Sequence, residues 1–174
     1  MFSDPKKNIE QFGLQSGSVV ADIGSGAGFY TFAAARAVGR LGRVYAIDVL
    51  KEMLQKIKNE AERSGLGNIE ALWGNIEKIG GSRLSDASVD AALVCDTLFQ
   101  IVNKGAFSLE VKRILKPLGR VLIVDWSESF GGIGPQPEHV FASDVARSLF
   151  EKAGFKFERE ISAGTHHYGL IFRK

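Results

Sequence analysis

The stretch VVADIGSGAGFY, residues 19–30, sets an acid inside an apolar run, then three glycines within five positions, then two aromatics. Val19–Ile23 is a solid apolar block around Asp22, which reads as a strand buried on both faces. Phe29 to Val38 is rich in alanine, with Phe29, Phe32 and Ala33 on one face, so a helix follows the turn. A glycine turn between a strand and a helix leaves backbone N–H groups free to meet a ligand. The spacing here is Gly24-x-Gly26-x-Gly28. It is one residue tighter than the G-x-G-x-x-G dinucleotide fingerprint, whose third glycine would fall on Phe29. The phosphate-binding pattern G-x-x-x-x-G-K-[ST] is absent from the sequence.

Asp22 discriminates between ligands. A carboxylate repels a pyrophosphate and attracts an ammonium or a sulfonium. Asp48 closes the next apolar run, Val44–Ile47, where an acid can accept both hydroxyls of an unphosphorylated ribose. A ligand with a ribose, an adenine and a cationic amino-acid tail meets both demands, and S-adenosylmethionine is such a ligand.

The same alternation continues along the chain. Leu50, Met53, Leu54, Ile57 and Ala61 keep helical spacing. Ile69–Trp73 and Val89–Cys95 read as strands. Phe107, Val111, Ile114 and Leu115 form a helical stripe stopped by Pro117 and Gly119, and Val121–Val124 is a fifth strand. Residues 127–142 follow no periodicity and make a candidate substrate loop. Ser143 has the character of an N-cap for a helix through Lys152. Strands near Phe155–Ile161 and His167–Phe172 end the chain, with too short a turn between them for a crossover helix, so they pair as a hairpin. The expectation is one α/β domain over 1–174 with an N-terminal helix or arm over 1–17. Its three-layer sandwich encloses a doubly wound, mostly parallel seven-stranded sheet, with the last strand antiparallel.

Five segments in order resemble the class I (Rossmann-like) S-adenosylmethionine-dependent methyltransferases. They are DIGSGAG (22–28), GRVYAID followed by LKEML (42–48 and 50–54), WGNIE (73–77), VDAALVCDTLF (89–99) and ILKPLGRVLIVDW (114–126). The resemblance implies the strand order 3-2-1-4-5-7-6. It also implies residue roles. Gly24, Ser25, Gly26 and Gly28 would let the backbone approach the methionine moiety, with Tyr30 beside them, and Asp22 would face its ammonium. Asp48 would take the ribose hydroxyls, and Val49 and Met53 would pack on the adenine. Gly74, Asn75 and Ile76 would meet the adenine edge, and Cys95 and Asp96 would line the sulfonium end.

The acceptor side is less specific. All three histidines, His139, His166 and His167, lie near the end of the chain. In a strand, His166 and His167 point to opposite faces, so at most one aims inward. Asp96, His139 and His166 are the candidate catalytic groups, and Phe99, Trp126, Glu138, His139 and His167 the candidate acceptor-lining set. No metal site is expected. The segment after the fourth strand, Cys95-Asp96-Thr97, lacks the Asn/Asp-Pro-Pro-Tyr/Phe pattern that resembles amino-methylating enzymes. A lone cysteine also differs from the several used by arsenic methyltransferases. The expected reaction is methyl transfer to a small molecule, with S-adenosylhomocysteine as the product. An RNA or protein acceptor, and a non-catalytic S-adenosylmethionine-binding protein, stand as alternatives. A nicotinamide-dependent oxidoreductase is disfavoured by the glycine spacing and Asp22.

Composition sets the outer limits. The chain has 174 residues, 45% hydrophobic and 24% charged, with a net charge of +2, which suits one soluble domain. That charge neither requires nor excludes nucleic acid. A single cysteine allows no intramolecular disulfide. No apolar run reaches the ~18–20 residues of a membrane span, and the N-terminal residues do not form a signal-peptide core. The expected setting is the cytoplasm, with a homodimer possible where a second copy completes the acceptor side.

Overall fold

The computed structural model describes residues 3–174; residues 1–2 of the expected N-terminal arm lie outside the described residues. The arm contains α1 (Pro5–Phe12). Asp4 caps it by accepting from the N–H groups of Lys6 and Lys7, and Gly13 closes it at φ 74°, a left-handed stop that suits glycine. Alternation then runs through β1 (Val19–Ile23), α2 (Phe29–Val38), β2 (Arg43–Asp48), α3 (Lys51–Arg63), β3 (Ile69–Trp73) and β4 (Val89–Cys95). It continues with α4 (Lys104–Ile114), β5 (Leu115–Trp126), α5 (Ser143–Lys152), β6 (Lys156–Ile161) and β7 (His167–Arg173).

The seven strands form one sheet in the order β3-β2-β1-β4-β5-β7-β6, as expected. The first five strands run parallel, and β7 is antiparallel to both β5 and β6. The order reverses beside β1, so the crevice of a doubly wound sheet opens between the carboxyl ends of β1 and β4. Both faces are covered. Ile9, Phe12, Ala34 and Val38 of α1 and α2 pack on one, and Phe107, Val111, Ile114, Ala146 and Phe150 of α4 and α5 on the other. This double cover explains why β4 and the second half of β5 are apolar at nearly every position. Burying a side chain such as Phe107 or Phe150, each fully inaccessible, contributes about 2–3 kcal/mol.

Two local expectations are corrected. The stripe through Leu115 is not all helix: α4 stops at Ile114, and β5 starts at Leu115, which pairs with Val89. Pro117 and Gly119 sit inside that strand, where Leu118 takes φ 64° and the β4–β5 register shifts. A bulge is the place in a sheet that tolerates a proline. At α5 the cap position is Ala142, which makes no side-chain cap bond, and Ser143 is already helical. Among the described residues, no helix is long and apolar enough to cross a membrane.

Candidate active site

A cavity of about 510 Å³ lies over the carboxyl ends of β1, β2 and β4, with the segment after β3 as a further wall. That size is in the usual range for small-molecule sites. The glycine turn forms its base. Gly24 and Ser25 donate their N–H groups to the Ile47 carbonyl at 2.9 and 3.0 Å, which ties the turn to β2. Asp48 clasps it from the side: Oδ2 accepts from the Gly26 N–H and Oδ1 from the Leu50 N–H, both at 2.8 Å.

Asp22 is almost fully buried. Its bonded partner is the Thr31 hydroxyl, which donates to Oδ2 at 2.5 Å. Burial pushes its pKa up to about 7, the nearby Asp48 charge adds to the rise, and the Thr31 bond opposes it. The Ser25 hydroxyl oxygen is buried on the cavity wall without a partner. Such a group normally finds a partner, so a polar ligand atom at this point would satisfy it.

The three glycines do different jobs. All have left-handed φ: 72° at Gly24, 48° at Gly26 and 87° at Gly28. A Cβ on Gly24 would stand 2.6 Å from the Thr97 hydroxyl oxygen, and one on Gly28 2.8 Å from Ile57 of α3. Nothing lies within 4 Å of a Cβ on Gly26. Gly24 thus seats the turn against the end of β4, and Gly28 packs α2 on α3 from behind the cavity wall. The space at Gly26 is left open. Gly24→Ala is therefore expected to cost about 2 kcal/mol in urea unfolding, from overpacking added to strained backbone. Gly26→Ala should cost about 1 kcal/mol, from the backbone alone.

The other residues expected at the cofactor end meet here. Tyr30, Val49, Met53, Gly74, Asn75, Ile76, Cys95 and Asp96 all line the cavity. The Tyr30 hydroxyl accepts from Asn8 of α1 at 2.8 Å and bonds Ser3, so the N-terminal helix braces the wall. The Asn75 side-chain oxygen accepts from the Glu77 N–H at 3.0 Å, so part of its acceptor capacity goes into its own turn. Burial raises the Cys95 thiol well above its ordinary value, and the neighbouring carboxylates of Asp22, Asp96 and Asp125 add to this. That favours the unreactive protonated form. Sequence reading missed Leu50, Glu77, Thr97, Gln100 and Ile101, which also line the cavity. Their only signal was that they lie within the motif segments or, for Gln100 and Ile101, just beyond one.

The acceptor candidates disperse. Asp96 stands on the cavity wall at φ 53°. His167 of β7 places Nε2 3.1 Å from Asp96 Oδ1 and packs against the Trp126 ring, with centroids 4.3 Å apart. His166 turns elsewhere: its Nδ1 lies 2.7 Å from a Glu128 carboxylate oxygen and its ring stacks on Phe130. Glu138 and His139 are exposed, at the end of a short 3₁₀ turn in the 127–142 loop. Phe99 is half-buried and does not line the cavity. Among the described residues, no cluster of His, Cys, Asp or Glu is arranged to hold a metal ion.

A family model described as a methyltransferase domain matches residues 14–155. The crystal structure of an S-adenosylmethionine-dependent methyltransferase from Aquifex aeolicus is 34% identical and superposes with a TM-score of 0.90, over 99% of this chain and 90% of that one. Among curated proteins, the ubiquinone/menaquinone biosynthesis C-methyltransferase UbiE of Hahella chejuensis is 32% identical over 121 residues, 69% of this chain and 47% of its own length. The arsenite methyltransferase of Halobacterium salinarum is 34% identical over 112 residues, 64% of this chain and 28% of its own. The chain thus spans about half the length, or less, of these curated relatives.

Proposed function

The chain belongs to the S-adenosylmethionine-dependent methyltransferase family, and from that premise we propose that it transfers a methyl group from S-adenosylmethionine to a small molecule. The observation that carries the cofactor reading is Asp22. A buried acid with a pKa near 7, bonded to a hydroxyl rather than to a cation, lacks the counter-charge that an amino-acid ammonium would bring, directly or through water. The unpartnered Ser25 hydroxyl and the open space at Gly26 suit the same tail.

On this reading Gly24, Ser25 and Gly26 hold the amino-acid end, Gly28 supports the turn from behind, and Tyr30, Cys95 and Asp96 surround the sulfonium end. Asp48 takes the ribose hydroxyls, Val49 and Met53 pack on the adenine, and Gly74, Asn75 and Ile76 meet its edge. The cofactor supplies a methyl group on a leaving group that is already activated. The residues therefore need mainly to align the reactants and exclude water.

A small-molecule acceptor is supported by the relatives, named for quinone biosynthesis and for arsenite. Arsenite itself suits this chain poorly, because its one thiol, Cys95, is buried and held protonated. Three basic side chains around α4 and β5 are engaged within the fold rather than free for a nucleic-acid surface. Lys116 pairs with Asp90, Arg120 pairs with Glu158, and Lys112 donates to the Ala153 carbonyl. A cytoplasmic setting is proposed with the function.

Calorimetric titration with S-adenosylmethionine, S-adenosylhomocysteine and NADH tests the cofactor, with binding expected for the first two alone. Asp48→Ala should weaken S-adenosylmethionine about 10-fold, the loss of one charge-assisted hydrogen-bonding site. Unchanged affinity would remove the ribose assignment. Transfer of labelled methyl from S-adenosylmethionine into the small-molecule, RNA and protein fractions of a cell extract tests the acceptor class. Label in RNA or protein would overturn the small-molecule reading, and binding without any transfer would favour a non-catalytic role.

A further inference from the structure

The cofactor reading uses Asp96 only as a wall of the sulfonium end and gives no role to the pair behind it, His167 and Trp126. Asp96 follows β4 directly, and its φ of 53° is a conformation that non-glycine residues adopt at a cost. Its N–H donates to the Val124 carbonyl at 2.8 Å, which pins the backbone between β4 and β5. Its side chain is partly exposed to the cavity, yet Oδ1 is buried and makes no well-directed hydrogen bond. His167 Nε2 lies 3.1 Å from that oxygen, on a side chain only 3% exposed.

Other contacts hold His167 in place. It pairs with Trp126 across the β5–β7 ladder, and the two rings lie against each other. Gly134 of the 127–142 loop closes the far side of the Trp126 ring, where a Cβ would come within 2.7 Å. His167 Nδ1 is buried with no partner. A proton on Nε2 would leave Nδ1 as a lone pair with no stranded donor, and it would put an N–H beside the Asp96 carboxylate, 3.1 Å away and not yet well aligned with it.

We propose that the Asp96 carboxylate is aimed at the position of the transferring methyl group and accepts the proton of a hydroxyl acceptor of phenol or enol type, with His167 as its positioning residue. This inference rests on the cofactor reading above. The proton passes from the acceptor O–H to Asp96. The acceptor uses the freed electron pair to bond the methyl carbon, and the carbon–sulfur bond breaks with its pair left on sulfur, which becomes a neutral thioether. The proton then leaves Asp96 for water at the open edge of the cavity. A carboxylate helps only where the acceptor must lose a proton early, which is why an acidic hydroxyl fits it better than a neutral amine.

The test needs no acceptor. Sinefungin carries C–NH3⁺ where the methyl donor carries S–CH3, so its ammonium reports on what faces the methyl position. The wild-type protein is expected to bind sinefungin about 10-fold more tightly than S-adenosylhomocysteine. Asp96→Asn should reduce that preference to about twofold or less. His167→Ala should reduce it to about threefold, and His167→Gln, which keeps an N–H at the end of the side chain, should restore most of it. The preference is a ratio within each variant, so general damage to the pocket cancels. An unchanged preference in Asp96→Asn, or equal weakening of both ligands in His167→Ala without rescue by Gln, would overturn the inference. A wild-type protein that binds neither compound would instead overturn the cofactor reading, and the inference would fall with it.

Discussion

Asp22→Asn is expected to weaken S-adenosylmethionine about 30-fold or more while making the ligand-free protein more stable above pH 7. The two effects share one cause. Asp22 is buried and its pKa is raised to about 7, so the folded state holds a proton on it that the unfolded chain releases near the ordinary value of about 4. Between those values the folded state binds more protons than the unfolded one, and stability falls as pH rises through that window. Above pH 7 both states are ionised and the penalty is constant. Asparagine can still accept from Thr31 but carries no charge, so the decline should flatten. The gain at pH 8 should be on the order of 2 kcal/mol. Asp125, raised to about 6 chiefly by burial, slopes in the same direction. The difference between wild type and variant therefore isolates Asp22. Thermal melts from pH 4 to 8, with calorimetric binding at pH 8, measure both effects. A variant that binds as tightly as wild type would remove the ammonium assignment, and parallel pH profiles would show that Asp22 does not titrate in this range.

Wild-type binding has its own pH dependence on the same argument. An ammonium favours ionised Asp22, so affinity for S-adenosylmethionine should rise as pH increases to about 7 and level off beyond it. On the proposed assignment, the acid that costs the ligand-free fold stability is the one that the ammonium would neutralise. A strained or frustrated group at a binding site commonly behaves this way.

The layout of the sheet was readable because β1, β2 and β4 are apolar runs ended by glycines or acids, and the parallel arrangement follows from the helices between them. That Asp22 and Asp48 face the cavity was readable because each sits at or next to the carboxyl end of its strand. Which of the two vicinal histidines turns inward was not. Alternation lets at most one of His166 and His167 point inward, and the choice depends on the register of β7 against β5, where His167 falls opposite Trp126. That pairing joins segments far apart in sequence and leaves no local trace. Leu115 was misread because an apolar residue two places before a proline suits a helix end and a strand start equally well, and its pairing with Val89 decided the matter. Nothing in the sequence singles out Glu110, since the apolar stripe of α4 runs through Phe107, Val111 and Ile114. In the fold it is buried completely.

That burial makes Glu110→Ala the substitution with the largest expected cost, about 3–5 kcal/mol. The Glu110 carboxylate accepts from the Gly80 N–H at 2.7 Å, the Ser82 N–H at 3.0 Å and the Ser82 hydroxyl. Arg113, one turn further along α4, donates to both its oxygens at 2.8 Å and also reaches Asp86 and the Leu84 carbonyl. Burial alone would raise the Glu110 pKa. The Arg113 guanidinium, the Ser82 hydroxyl and the two backbone N–H groups outweigh it and hold the carboxyl at about 2. The folded value lies below the unfolded one, so this stabilisation is complete above about pH 4.5 and is lost as pH falls through about 2. Removing the carboxylate takes from a mostly buried guanidinium its buried counter-charge, leaving it Asp86 and the Leu84 carbonyl, and strands three donors at once. The consequence reaches the cavity, because the segment tied down at Gly80 and Ser82 folds back on Asn75, where a Cβ on Gly81 would meet the Asn75 carbonyl oxygen. Asn75, Ile76 and Glu77 form that wall. Urea unfolding at pH 7 should show the full loss in Glu110→Ala. Partial recovery is expected in Glu110→Ala with Arg113→Met, which also removes the charge left without its buried partner. S-adenosylhomocysteine affinity should fall in the single variant and recover in part with the fold. An unfolding midpoint unchanged by Glu110→Ala would mean that the segment after β3 is held by its own turns and that the buried carboxylate is dispensable.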